Sequence, residues 1–85
     1  MQQFTVADLD RIVRASAGDD GPAIDESRLD VLFSDLGYDS LAMLETVSRV
    51  SREFGASLAD DVASEAATPR QMLAAVNEAI ASAAA

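Results

Sequence analysis

The sequence predicts an all-α fold: a bundle of three long helices and one short helix, with a long loop between the first two. Three observations point there. Apolar residues recur at helical spacing in three separate stretches, each opened by a recognisable start signal. No stretch alternates with the period of two that a half-buried strand requires. Eighty-five residues, 49% of them hydrophobic, suffice for one small aliphatic core and for no second one, so residues 1–85 form a single domain.

The first helix follows Thr5. Asp8 stands three residues on, the spacing of a capping box, and Phe4 is placed to staple onto Leu9. Leu9, Ile12, Val13 and Ala17 share one face, with Arg11 and Arg14 turned away from it. Gly18-Asp19-Asp20-Gly21-Pro22 stops the helix. A connection of over twenty residues follows, longer than ordinary helix–helix links and of the kind that carries function. Ile24, Leu29, Leu32, Phe33 and Leu36 are its expected anchors in the core, with a helical turn around 29–34. Its length lets the first two helices cross the bundle in the same sense, unlike an up-down hairpin array.

The second helix is expected from Ser40 to Phe54, capped by Asp39 and closed by Gly55 at C′. Leu44, Val47, Val50 and Phe54 form its buried stripe, and Glu45 and Arg49 an i,i+4 ion pair. Residues 57–65 read as a short helix, with Ser57 as cap and Leu58 and Val62 as its apolar face. The last helix has Thr68 as cap, Pro69 at N1 and Gln71 at N3. Leu73, Val76 and Ile80 are its stripe, with Met72 beside them, and the terminal Ala-Ser-Ala-Ala-Ala is expected to fray.

Composition narrows the chemistry. Neither histidine nor cysteine occurs, which removes Ser-His-Asp and Cys-His catalysis, disulfides and most zinc sites. No serine here has a histidine to activate it as a nucleophile. The formal net charge is −9, from 15 acidic residues against 6 arginines and no lysine. Such a surface repels nucleic acid and anionic lipid and suits basic protein partners. No apolar run approaches a membrane span, and no basic segment precedes an apolar one as in a signal peptide, so a cytoplasmic monomer is expected. Asp19/Asp20 and Asp60/Asp61 lack the spacing of a Ca²⁺ loop and read as solvated surface, leaving no metal site.

Attention then falls on Leu36-Gly37-Tyr38-Asp39-Ser40-Leu41. Taken alone, Ser40 is a cap-region residue at a helix start. Its side chain points away from the buried stripe, next to unpaired N–H groups and a dipole that favours an anion. The hexapeptide, preceded by Phe33 and followed by Glu45, resembles the 4′-phosphopantetheine attachment motif of acyl carrier proteins. Helix lengths, the long first connection and the closing Thr-Pro helix fit that family over nearly the whole chain. Tyr38, Asp60-Asp61-Val62 and Thr68-Pro69-Arg70 resemble the discrete carriers of type II aromatic polyketide synthases. Fatty-acid carriers typically have an aspartate where this chain has Ala42, and Arg49 and Arg52 depart from their more acidic second helix.

The resemblance implies a covalent 4′-phosphopantetheine group, taken from coenzyme A and placed on Ser40 by a phosphopantetheinyl transferase. The group would carry malonyl units and the growing polyketide as thioesters, without catalysis by the chain itself. Implied partners are the ketosynthase with its chain-length factor, malonyl acyltransferase, ketoreductase and cyclases. Asp39, Leu41 and Glu45 become expected partner contacts. Arg70 and Asn77, on the last helix, become expected contacts to a polar chain folded against the bundle, with Ala66, Ala75 and Ala79 leaving space. The competing readings are a fatty-acid-type carrier and a non-covalent acidic helical interaction module.

Overall fold

The structure, a computed structural model, describes residues 3–17, 23–58 and 61–84. It consists of α1 (Val6–Ala17), α2 (Ser40–Phe54), α3 (Asp61–Glu65) and α4 (Pro69–Ala84), with a 3₁₀ turn at Glu26–Arg28. No strand occurs among the described residues. The expected stop at 18–22 and the paired acids Asp19, Asp20 and Asp60 lie outside them.

The capping box of α1 is formed reciprocally. The Thr5 N–H donates to Asp8 Oδ2 at 3.1 Å, and the Asp8 N–H donates to Thr5 Oγ1 at 3.2 Å. Leu9, Ile12 and Val13 are buried as expected. Phe4 is buried too, and its ring meets Phe54 edge-on with centroids 5.1 Å apart. Phe4 precedes α1 and Phe54 ends α2, so the two helices run in opposite senses. This corrects the expected parallel crossing. The described part of the connection is anchored first midway along α1, where the Ile24 N–H donates to Asp10 Oδ1 at 2.8 Å, and then beside the start of α4. Arg11 also does more than face solvent, since it pairs with Glu53 of α2.

Two residues of α2 exchange roles. Leu44 is 45% exposed, and Met43 takes the place assigned to it, with Thr46, Val47 and Val50. The sequence offers adjacent apolar residues at 43 and 44, and only the phase that buries Met43 leaves Ser40 outward. Thr46 can occupy the stripe because its hydroxyl donates to the Ala42 carbonyl at 2.8 Å. Gly55, at φ +65°, closes the helix.

The connection differs in detail. Ile24, Phe33 and Leu36 are buried anchors, Leu29 is half-buried, and Leu32 is exposed. In place of one helical turn at 29–34 there are two turns. The first is the 3₁₀ turn, nucleated by Asp25, whose side chain accepts from the Ser27 N–H at 3.0 Å. The second spans residues 33–37. Leu32 falls between them and so points out. The loop is fastened to the corner between α3 and α4 by two backbone bonds. The Phe33 N–H donates to the Ala67 carbonyl and the Arg70 N–H to the Leu29 carbonyl, each at 2.9 Å.

α3 is described over Asp61–Glu65, and Leu58 is not helical, so Ser57 does not cap it. Leu58, Val62 and Ala63 pack half-buried against the core. α4 is capped by Thr68, whose Oγ1 accepts from the Gln71 N–H at 3.3 Å. The Gln71 side chain reaches back one residue further, accepting from the Ala67 N–H at 2.8 Å. Met72, Val76 and Ile80 are its buried stripe, and Leu73 is only half-buried. The helix continues to Ala84 instead of fraying at 81, consistent with the high helix propensity of alanine.

Candidate functional site

The site is built by the turn at 33–37. The Tyr38 N–H donates to the Phe33 carbonyl at 3.0 Å, and the Gly37 N–H to the Ser34 carbonyl at 3.2 Å. That six-to-one and five-to-two pair is a Schellman closure, with Gly37 at C′ and φ +91°. Its usual apolar clasp, between C″ and C3, is here the contact of Tyr38 with Phe33, at 6.5 Å between ring centroids. Tyr38 is thereby drawn inward and buried. The chain leaves it extended through Asp39 (φ −92°, ψ −179°) and enters α2 at once. Gly37 is in the motif because the backbone must turn left-handed at that point.

Asp39 is the N-cap: its Oδ1 accepts from the Ala42 N–H at 2.9 Å, and its carbonyl from the Met43 N–H at 3.1 Å. The cap leaves the N–H groups of Ser40 and Leu41 without partners among the described residues. Ser40 is exposed at N1, and its hydroxyl makes no hydrogen bond there either. Leu41 is 65% exposed. With Leu44 one turn below Ser40, it makes an apolar rim that the sequence reading, having placed Leu44 in the core, did not contain.

Shallow hollows flank the serine. One, of about 240 Å³, is lined by Ser40, Leu44, Ala63 and Ser64, between α2 and α3. The other, of about 220 Å³, includes Gly37, Asp39, Leu41 and Glu45, beside Ser16 of α1. Ala63 and Ser64 carried no signal in the sequence, because nothing local marks a small residue as the wall of a hollow. Both hollows fall short of the roughly 300–1,000 Å³ of a ligand pocket that encloses its guest.

The structure thus brings Asp39, Ser40, Leu41 and Glu45 together at one end of the bundle. Glu45 is exposed there and forms no ion pair with Arg49, contrary to expectation. Arg70 and Asn77 are engaged elsewhere. The Arg70 guanidinium donates twice to Asp30, at 2.7 and 3.2 Å, and so holds the Asp30 carboxyl below its ordinary range. Asn77 clamps residue 4: its Oδ1 accepts from the Phe4 N–H at 2.9 Å and its amide donates to the Phe4 carbonyl at 3.0 Å. Phe4 lies against the far end of α2, about 21 Å from Ser40 at 1.5 Å per residue.

Fold and site define a class: a small helical scaffold that displays one unbonded hydroxyl at the head of a helix. Residues 8–76 match the family model described as a phosphopantetheine attachment site. The chain is 49% identical to the monensin polyketide synthase acyl carrier protein of Streptomyces virginiae, over 94% of this chain and 91% of that one. It is 44% identical to the actinorhodin polyketide synthase acyl carrier protein of Streptomyces coelicolor, over 95% of each. The solution structure of that synthase's 3,5-dioxohexyl carrier protein superposes with a TM-score of 0.87 at 43% identity, covering 96% of each chain. The chain therefore belongs to the phosphopantetheine-attachment family, as an acyl carrier protein of the polyketide synthase type. Its prosthetic group is covalent 4′-phosphopantetheine. The geometry fits such a group: a free hydroxyl, two open N–H groups and a helix dipole stand where a phosphodiester would sit. No helix among the described residues is long and apolar enough to cross a membrane.

Proposed function

We propose that Ser40 is the attachment point, and that the protein carries malonyl units and growing polyketide intermediates as thioesters on the arm mounted there. The observation that carries this reading is the serine itself. Its hydroxyl is exposed and unbonded at N1 of α2, next to a capped first turn. Asp39, Leu41 and Glu45 surround it as the surface an enzyme meets on approach. The chain needs no catalytic group of its own, since activation of the hydroxyl falls to the phosphopantetheinyl transferase. Ketosynthase with chain-length factor, malonyl acyltransferase, ketoreductase and cyclases are the enzymes it would serve in turn, in the cytoplasm. The hollow between α2 and α3, beginning at Ser40 and Leu44, is the nearest shelter for the first part of a carried chain. Of the two expected chain contacts on α4, Arg70 is the better placed. Its pair with Asp30 is exposed and easily exchanged, whereas Asn77 would have to release Phe4.

The test is an intact mass after incubation with coenzyme A, Mg²⁺ and a phosphopantetheinyl transferase. One phosphopantetheine group is expected on the protein and none on Ser40→Ala. Loading of Ser40→Ala, or of neither protein, would refute the assignment.

A further inference from the structure

Four of the six arginines are neutralised within the chain. Arg11 pairs with Asp8 and Glu53, Arg14 with Asp10, Arg28 with Asp25 and Arg70 with Asp30. Arg49 and Arg52 have no ion pair or hydrogen bond among the described residues. Both are exposed, one turn apart on the outer face of α2, and with Glu53 they line an open hollow of about 290 Å³. Like charges at that spacing cost a few tenths of a kcal/mol in an isolated helix. Glu53, the acid that shares their hollow, is paired with Arg11 and bonds to neither of them. The helix dipole favours Arg52, in the last turn, but explains neither Arg49 nor the hollow.

The outer face of α2 is therefore split by charge. Asp39 and Glu45 make its Ser40 end acidic, with Leu41 and Leu44 between them. The two arginines make its other end basic, about 14 and 18 Å below Ser40 at 1.5 Å per residue. An enzyme acting at Ser40 with a footprint of roughly 800 Å² covers a disc of about 16 Å radius. The arginines fall at the rim of that disc, where charges set association rate and orientation more than affinity.

We infer that Arg49 and Arg52 are a docking site for an acidic patch on the condensing enzyme, the ketosynthase heterodimer that extends the carried chain. That enzyme would present basic groups at its active-site mouth, facing Asp39 and Glu45, and carboxylates about 14–18 Å away along the axis of α2. Such a split face admits the carrier in one polarity of α2 and disfavours the reverse, which would set like charges together. The inference rests on the assignment of Ser40 as the tether point.

The test is the sign of a rate change. Association of the loaded carrier with the ketosynthase heterodimer of its own synthase is followed by stopped flow at low and high salt. Arg49→Glu and Arg52→Glu are compared with Arg28→Glu, which makes the same change in net charge away from α2. An acidic patch opposite α2 makes the first two associate on the order of threefold more slowly at low salt, with the difference lost at high salt. Arg28→Glu should be unchanged or faster. Faster association of the α2 variants would mean that their partner is basic, and equal rates that nothing charged faces them; either result overturns the inference, as does absent binding by the loaded wild type. Failure of Ser40 to load is read separately, from the mass before any enzyme is added.

Discussion

Tyr38 offers a direct test of how the loop before the serine is held. Its ring is 6% exposed and clasps Phe33, yet its hydroxyl is buried without a hydrogen-bond partner. A buried polar group left unsatisfied costs about 1–3 kcal/mol, and replacing it by a hydrogen removes that cost while leaving the ring's packing in place. Tyr38→Phe should therefore be more stable than the wild type by about 1–2 kcal/mol. For a domain of this size that is a rise in Tm of very roughly 5–15 °C, at ~4–8 °C per kcal/mol. Urea unfolding followed by far-UV circular dichroism measures it, since the chain has no tryptophan and the substitution removes its only tyrosine. The same residue predicts an alkaline limb. Burial raises the Tyr38 phenol above its ordinary value. The folded state then resists the phenolate, so this contribution is complete below pH ~10 and is lost as pH rises beyond it. The single tyrosine makes its absorbance titration unambiguous, and Tyr38→Phe should lose that part of the alkaline slope. A variant no more stable than wild type would refute the reasoning and show that the hydroxyl is bonded in solution.

Two further outcomes follow from the same loop and from α1. A Cβ at Gly37 would meet no atom within 4 Å, so Gly37→Ala should cost only the left-handed backbone, about 1–2 kcal/mol, read as a lower urea midpoint at unchanged m. Asp8 is held below the ordinary carboxylate range, chiefly by the Thr5 N–H, so its contribution is present above pH ~4 and lost as pH falls further. Asp8→Asn should be less stable at neutral pH and show a shallower acid slope between pH 5 and 3 in thermal melts.

The starts of the three long helices were legible because each was written locally. Thr5 with Asp8, Asp39 before Ser40, and Thr68-Pro69 with Gln71 needed no tertiary information, and the limits of α2 came out as read. The phase of α2 was not legible. Met43 and Leu44 are equally apolar neighbours, and what separates them is a buried Thr46 whose hydroxyl turns back on its own helix. The direction of α2 against α1 was likewise hidden, because it depends on where a 22-residue connection attaches. Its backbone bonds to Ala67 and from Arg70 join positions far apart in sequence. At the proposed site, the motif singled out Ser40 and its flanks through family resemblance, while the rim from Leu44 and the wall from Ala63 and Ser64 required the packed helices. Asn77 shows the limit most plainly: a polar residue at the edge of a stripe gives no hint of a partner 73 residues away.

That clamp between Asn77 and Phe4 has a practical consequence for handling the protein. It fixes residue 4 at the end of the bundle opposite Ser40, with Phe54 packed over it. A tether or surface linker joined ahead of residue 3 therefore departs about 21 Å from the serine, the length of α2 at 1.5 Å per residue. A sensor chip loaded through that end would display the Ser40 end outward in a uniform orientation, with the whole outer side of α2 open to solution.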